Sequence, residues 1–230
     1  MARKPTPRPA ARSTAGGDKP ARERIIDAFM RLLANKAIER IGFAEIAREA
    51  GVALPDLRGA FDSTLAILAA QMKETDRAVL AGIDTAMAEE PPRERLFDVL
   101  MRRLEVLAPQ KAAVRSLVGS ALRNPPLALA LNGLSVRSQQ WMLTAADIGA
   151  AGPRGMMRAQ GLALLFAQVL RVWVDDDDPG LARTMAALDR ALARGQRWSG
   201  ILDGALRVAA CAGRGRPRRR RDADDESVAA

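Results

Sequence analysis

The segment of residues 43 to 61 constrains the fold most, because its apolar positions recur at helical spacing on both sides of a glycine. Phe43, Ile46 and Ala47 share one side of a short first helix, and Ala47 is small enough for a second helix to cross closely. Gly51 follows at once, where a sharp turn needs a positive φ that glycine adopts without strain. Leu57 then anchors a second short helix. The segment therefore predicts two helices that cross at a tight turn.

This spacing is typical of the helix-turn-helix, in which the second helix lies in the major groove of DNA. An ordinary helical hairpin in an all-α protein has the same spacing. The pattern alone therefore leaves DNA binding and simple packing both open.

Composition favours helices along the rest of the chain. Hydrophobic residues make up 48% of the sequence, but aromatic residues only 3%, and there is no tyrosine. The core must then be filled by Leu, Ala, Val, Ile and Met, which suit helices better than sheets. We predict an all-α fold of about nine helices, in which a three-helix N-terminal unit at residues 21–62 precedes a six-helix bundle at residues 63–212.

Charge is concentrated at the two ends of the chain, which has a net charge of +9. Residues 1–20, rich in proline and basic side chains, and residues 213–230, first Arg-rich and then acidic, are expected to be disordered. Flexible arginines can reach the minor groove or the phosphate backbone of DNA. Solubilising charge is the alternative for both tails, and the sequence leaves the two interpretations open.

Several classes of function are disfavoured by what the chain lacks. There is no histidine, so the commonest general base and the commonest metal ligand are missing, and Cys211, the only cysteine, cannot form a thiolate zinc site alone. No glycine-rich phosphate loop and no nucleophile with an evident base appear, so we predict neither an enzyme nor a cofactor. The acidic run at residues 175 to 178 fits a cation site or a helix cap, and the cap is favoured because no other ligand pattern accompanies it.

No membrane segment is expected either. The N-terminus is basic and has no apolar signal-peptide core. The longest apolar stretch, residues 161 to 174, contains Gln168 and Arg171 and is too short for a span of about 20 residues. We interpret it as a buried helix of a cytoplasmic protein.

The chain resembles the tetracycline-repressor (TetR) family of bacterial regulators. The resemblance rests on Arg-Ile-Ile-Asp-Ala-Phe at residues 24 to 29, on Glu-Ile-Ala-Arg-Glu-Ala-Gly-Val at residues 45 to 52, and on Leu57, Phe61 and Ser63. Helix order and lengths extend it over residues 21 to 212. It implies a transcriptional regulator, in most cases a repressor, with a DNA-binding domain at 21–62 and a ligand-binding and dimerisation domain at 63–212.

The resemblance also implies partners. A homodimer joined through its last two helices would read the half-sites of a near-palindromic, double-stranded operator, with the helix Leu54–Ala60 of each subunit in the major groove. The residues that the resemblance assigns to DNA are Gly42, Arg48, Ala53, Leu54, Pro55, Asp56, Arg58, Ser63 and Thr64.

Three of these positions depart from the family pattern where it usually contacts phosphate. Gly42 stands in place of a common threonine, Arg58 in place of a tyrosine and Thr64 in place of a lysine. Arg58 is able to substitute, since a guanidinium suits phosphate or guanine. Asp56 places a negative charge on the reading helix.

The resemblance implies a small-molecule pocket in the bundle, and the residue types suggest an apolar or amphipathic effector. Gln139, Gln140 and Arg158 are candidates for orienting it, and ordinary core packing is the alternative for each apolar residue. The predicted lining is Phe97, Leu100, Met101, Leu104, Trp141, Met142, Met156, Met157, Phe166 and Trp173.

A second resemblance leaves another function open. Residues 171 to 176 and 187 to 192 are similar to the end of the bundle in several TetR-type regulators. They are also similar to the lipid- or isoprenoid-binding accessory proteins of ubiquinone biosynthesis, which share the fold and carry a vestigial helix-turn-helix.

Overall fold

The computed structural model describes residues 19 to 196, and every regular element in that range is a helix. Residues 182 to 196 are helical up to the last described position and are called α9. The all-α prediction is confirmed. The other helices are α1 Ala21–Asn35, α2 Phe43–Ala50, α3 Leu54–Ala60, α4 Thr64–Ala81, α5 Pro92–Leu107, α6 Lys111–Arg123, α7 Pro125–Ala145 and α8 Gly152–Trp173, with short 3-10 segments at Ile38–Arg40, Thr85–Glu89 and Ala108–Gln110.

The chain divides into two compact units. Within the described residues, the first unit contains residues 19–83 together with Arg102–Ser138, and the second contains Asp84–Met101 and residues 139–196. Helices α5 and α7 therefore contribute to both. The functional boundary predicted between residues 62 and 63 stays a prediction. The predicted tails, apart from Lys19 and Pro20, and Cys211 lie outside the described residues.

Helix α1 is the centre of the first unit and contacts α2, α3, α4 and α6. Ile25, Phe29 and Leu33 are spaced four residues apart, so they form one stripe along the helix, and all three are fully buried. Removing a side chain such as Phe29 from water stabilises the fold by about 1.5–3 kcal/mol. This stripe gives the short helices α2 and α3 a core to pack on.

A buried polar cluster connects three helices of the first unit. Asp76 of α4 accepts a hydrogen bond from the Ser138 hydroxyl of α7 at 2.7 Å and another from the Arg103 guanidinium of α5. All three side chains belong to residues that are less than a tenth exposed. A buried carboxylate and guanidinium are tolerated only when they are paired and hydrogen-bonded, as they are here.

The second unit buries one side of α8, including Phe166 and Trp173. Gly155 lies near the start of this helix, and an added Cβ atom there would come within 2.1 Å of the Ala150 backbone, so only glycine fits. Arg95 of α5 donates through Nε to the Ala146 carbonyl at 2.9 Å and so holds the end of α7. Across the described range, no helix is long and apolar enough to cross a membrane.

The acidic run before α9 is built as a helix cap. Asp176 accepts hydrogen bonds from the Thr184 backbone N–H at 2.9 Å and from its hydroxyl at 2.6 Å. The hydroxyl is the main reason that the pKa of the Asp176 carboxyl lies below its ordinary value. Asp178 accepts from the N–H groups of Gly180 and Ala182, both at 3.2 Å. In the described range, no three His, Cys, Asp or Glu side chains are grouped to hold a metal ion.

Candidate nucleic-acid interface

The turn between α2 and α3 has the geometry that the sequence predicts. Gly51 adopts the left-handed conformation, with φ 63° and ψ 40°. Its N–H donates to the Arg48 carbonyl at 3.2 Å, and the Val52 N–H donates to the Ala47 carbonyl at 3.0 Å. These two bonds form a Schellman motif, which satisfies the last carbonyl groups of α2 and fixes the direction in which the chain leaves it. Pro55 lies in the first turn of α3, where its missing N–H costs nothing.

Helix α3 uses very little of its surface for packing. Leu57 is its one buried residue, and Phe61 behind it is 4% exposed. The Arg22 guanidinium lies 4.2 Å from the centre of the Phe61 ring and donates to the Ala60 carbonyl at 3.0 Å. The end of α3 is therefore fixed to α1, while its outer side stays open to solvent.

The nine predicted DNA-contact residues fall into three groups. Ala53, Leu54, Pro55, Asp56 and Arg58 are exposed on and just before α3, and Arg48 is exposed near the end of α2. Gly42 caps α2 through its backbone alone. Ser63 and Thr64 lie at the start of α4 and are half-buried. The Ser63 hydroxyl accepts a hydrogen bond from the Ala66 N–H at 3.0 Å.

Ion pairs neutralise two cations on or next to helices α2 and α3. The Arg58 guanidinium donates to the carboxylate of Asp62, one turn further along the chain, and both side chains are more than 70% exposed. Arg31 pairs with Glu49 at 3.0 Å. Such exposed pairs contribute only about 0–1 kcal/mol each, so a DNA phosphate can displace the carboxylate. The pairing of Asp62 with Arg58 was not predicted, although their i,i+4 spacing is a signal for such a pair.

Residues 21 to 62 contain as many acidic as basic side chains. Arg48 is one of the cations that remain exposed, and it makes no ion pair within the described range. The two-helix surface itself therefore attracts phosphate weakly, and most of the excess positive charge of the chain belongs to the tails.

The residues predicted to line the effector pocket belong to both units. Met142, Phe166 and Trp173 are buried in the second unit, where Phe97 and Met101 are half-buried. Leu104 is buried in the first unit. Trp141 is 57% exposed and Met157 52%, because both lie on the outward sides of their helices. Met156, in the same predicted lining, is 51% exposed, and the pocket stays a prediction.

The second unit also contains an open cavity and a buried polar side chain. An open cavity of about 330 Å³ is lined by Glu94, Phe97, Met185, Ala186 and Asp189. Gln139 is 1% exposed, and its side-chain carbonyl oxygen accepts no hydrogen bond within the described range. A buried unsatisfied acceptor is costly and is a natural partner for a ligand donor. Gln140 is half-buried, and Arg158 is exposed and donates to the Gly149 carbonyl at 3.1 Å.

Comparison with known proteins identifies the fold. No protein-family model matches the sequence, and no curated protein matches it. Among solved structures, a TetR transcriptional regulator from Nitrosomonas europaea ATCC 19718 matches with a TM-score of 0.60 and 21% identity over 77% of this chain and 99% of that one. A TetR transcriptional regulator from Rhodococcus sp. RHA1 matches with a TM-score of 0.52 and 22% identity over 76% of this chain and 95% of that one.

The chain has the TetR fold. The resemblance inferred from residues 24 to 63 and from helix order is thereby confirmed at the level of the fold. Helices α2 and α3, with the turn at Gly51 between them, form the two-helix arrangement that the sequence predicts. The two structures named above are described as transcriptional regulators, and at 21–22% identity the likeness shows the fold alone.

Proposed function

We propose that the chain is a ligand-responsive TetR-type transcriptional regulator that acts as a repressor by binding double-stranded operator DNA through α2 and α3. The observation that carries this proposal is the outer side of α3. Five of its seven residues are exposed, and Leu57 alone anchors it in the core. A rigidly mounted helix with a free side is what insertion into the major groove requires.

The direct test is selection of bound duplexes from a random pool, followed by titration at several salt concentrations. A regulator gives a preferred, near-palindromic sequence together with a steep salt dependence. Salt dependence without any sequence preference contradicts the proposal, and it is the result expected of a lipid or isoprenoid carrier with basic tails.

Arg58→Ala should weaken binding to the selected duplex by about fivefold or more, because it removes the guanidinium on the outer side of α3. Asp62→Asn should strengthen binding, because it releases Arg58 from its ion pair and removes a negative charge near the phosphates. Fluorescence anisotropy with a labelled duplex measures both effects.

Arg77→Ala is the matched control for Arg58. Arg77 lies on α4, is 70% exposed and pairs with Glu74 one turn away, so it copies the local setting of Arg58 outside α2 and α3. Equal affinity of Arg58→Ala and Arg77→Ala for the duplex would reject the role of Arg58.

We also propose a homodimer formed through α8 and α9. Met156, Met157 and Leu164 on the outward side of α8 are each just over half exposed. A concentration of large apolar side chains on one helix surface is typical of an interface between proteins. A two-fold dimer then presents two copies of α3 to successive major grooves of the operator.

Leu164→Glu should convert the dimer to a monomer of 24.7 kDa, because a charge at the centre of an apolar interface is strongly unfavourable. Sedimentation equilibrium measures the mass. The control is Leu129→Glu, which charges a still more exposed leucine on α7. A mass that is unchanged by Leu164→Glu, or lowered equally by both variants, contradicts this interface.

The effector proposed for the bundle is an apolar or amphipathic small molecule. The apolar residues of the second unit and the unsatisfied carbonyl oxygen of Gln139 support this chemistry. Binding would change the spacing of the two reading helices, and DNA affinity would fall by the coupling free energy between the two sites.

A further inference from the structure

We infer that α3 recognises thymine methyl groups by apolar contact, so that thymines lie opposite Ala53, Leu54 and Pro55 in each operator half-site. This inference rests on the proposed function and specifies the base chemistry that the same surface selects.

The N-terminal end of the reading helix is apolar and open to solvent. Leu54, the first residue of α3, is 51% exposed and lies outside the hydrophobic core of its unit. Ala53 before it and Pro55 after it are also exposed. In a helix-turn-helix, the N-terminal residues of the second helix are those that contact base edges. Three adjacent residues at this position therefore offer the bases no hydrogen-bonding side chain.

In the major groove, the thymine C5-methyl group is the apolar feature among otherwise polar base edges. An apolar side chain placed against guanine or cytosine leaves donors and acceptors desolvated without partners, which costs about 1–3 kcal/mol per group. Against thymine, the same side chain removes a methyl group from water, which is favourable. Apolar contact at this position therefore discriminates in favour of thymine.

The polar side chains of α3 offer little to thymine or guanine at the N-terminal end of the helix. The helix contains no Asn or Gln, which read adenine, and its charged residues are Asp56 and Arg58. Asp56 offers acceptors alone, so it is repelled by the acceptor edge of guanine. Arg58 is one turn further from the N-terminus than Leu54. Guanine recognition by arginine is therefore disfavoured at the N-terminal end of α3.

The test replaces the thymines of the selected duplex, one at a time, with deoxyuridine, which removes the methyl group and keeps every base-pair hydrogen bond. At one or more positions in each half-site, we expect affinity to fall about fourfold for each methyl group removed. Leu54→Ala should reduce that effect, because the side chain that contacts the methyl group is missing. Leu54 is exposed, so the variant should fold, and Leu129→Ala is the matched control.

A specific duplex whose affinity does not change with deoxyuridine overturns the inference and leaves the proposed function standing. If deoxyuridine lowers the affinity equally for the wild-type protein and for Leu54→Ala, the assignment to α3 is overturned. The loss then comes from a change in the DNA and not from a contact with Leu54. Failure to select any preferred duplex overturns the inference and the proposed function together.

Discussion

Replacing Asp76 by alanine should lower the free energy of unfolding by about 3–5 kcal/mol. The change takes the carboxylate away from the Arg103 guanidinium and the Ser138 hydroxyl, both of which belong to residues 3% exposed. The Arg103 guanidinium stays buried with its desolvation cost and loses its attraction to the Asp76 carboxylate, which offset part of that cost. Since proteins of this size are stable by only about 5–15 kcal/mol, the loss is a large part of the total.

Urea unfolding followed by circular dichroism measures the effect. Glu74→Ala is the control on the same helix, because Glu74 is half exposed in a surface ion pair, and we expect a change within about 0.5 kcal/mol. The double variant Asp76→Ala with Arg103→Met should be more stable than Asp76→Ala alone, because it leaves no charged side chain in this cluster. A single-variant loss below about 1 kcal/mol contradicts the account.

The cluster also bears on function. Helix α4 follows α3 directly in the chain, and Asp76 connects it to α5 and α7 within the first unit. Loss of the cluster is therefore expected to loosen the helix that leads away from the reading surface.

Removing residues 1 to 18 and 213 to 230 should weaken DNA binding at low salt by on the order of a hundredfold or more. The truncation takes away four basic residues from the N-terminal tail and six arginines from the C-terminal tail of each chain. Because residues 21 to 62 carry no excess of positive charge, the tails are expected to supply most of the salt-dependent affinity. The slope of log affinity against log salt should fall by about 0.9 for each phosphate that a tail side chain neutralises in the full-length protein.

The truncation is placed so that the fold is kept. Lys19 pairs with Asp27 at 2.6 Å, and the Pro20 carbonyl accepts from the Glu23 N–H at 2.9 Å, so both residues are retained. The ratio of affinities for the selected and a scrambled duplex should be unchanged, because the bases are read by α3. An Arg→Gln version of the tails, equal in length to the wild type, is the control for chain length. A salt slope unaffected by either change would mean that the tails serve solubility alone.

The sequence by itself determined the features that depend on neighbours along the chain. The four-residue spacing of Ile25, Phe29 and Leu33 predicts a helix with one buried side, which α1 has. Gly51 predicts the left-handed turn, because glycine lacks the Cβ atom that makes this conformation costly. Helical periodicity and backbone freedom are local properties, so the helix-turn-helix and the all-α class can be predicted without coordinates.

Only the tertiary structure decided which residues meet across the fold. Asp76 accepts hydrogen bonds from Arg103 and Ser138, which are 27 and 62 positions away in the chain. No periodic pattern in the sequence predicts these contacts. Trp141 and Met157 have the same apolar character as buried neighbours but face outward. A hydrophobic side chain is more stable when it is removed from water. Its residue type does not predict whether the core, a ligand or a second protein covers it, because that depends on how distant helices pack.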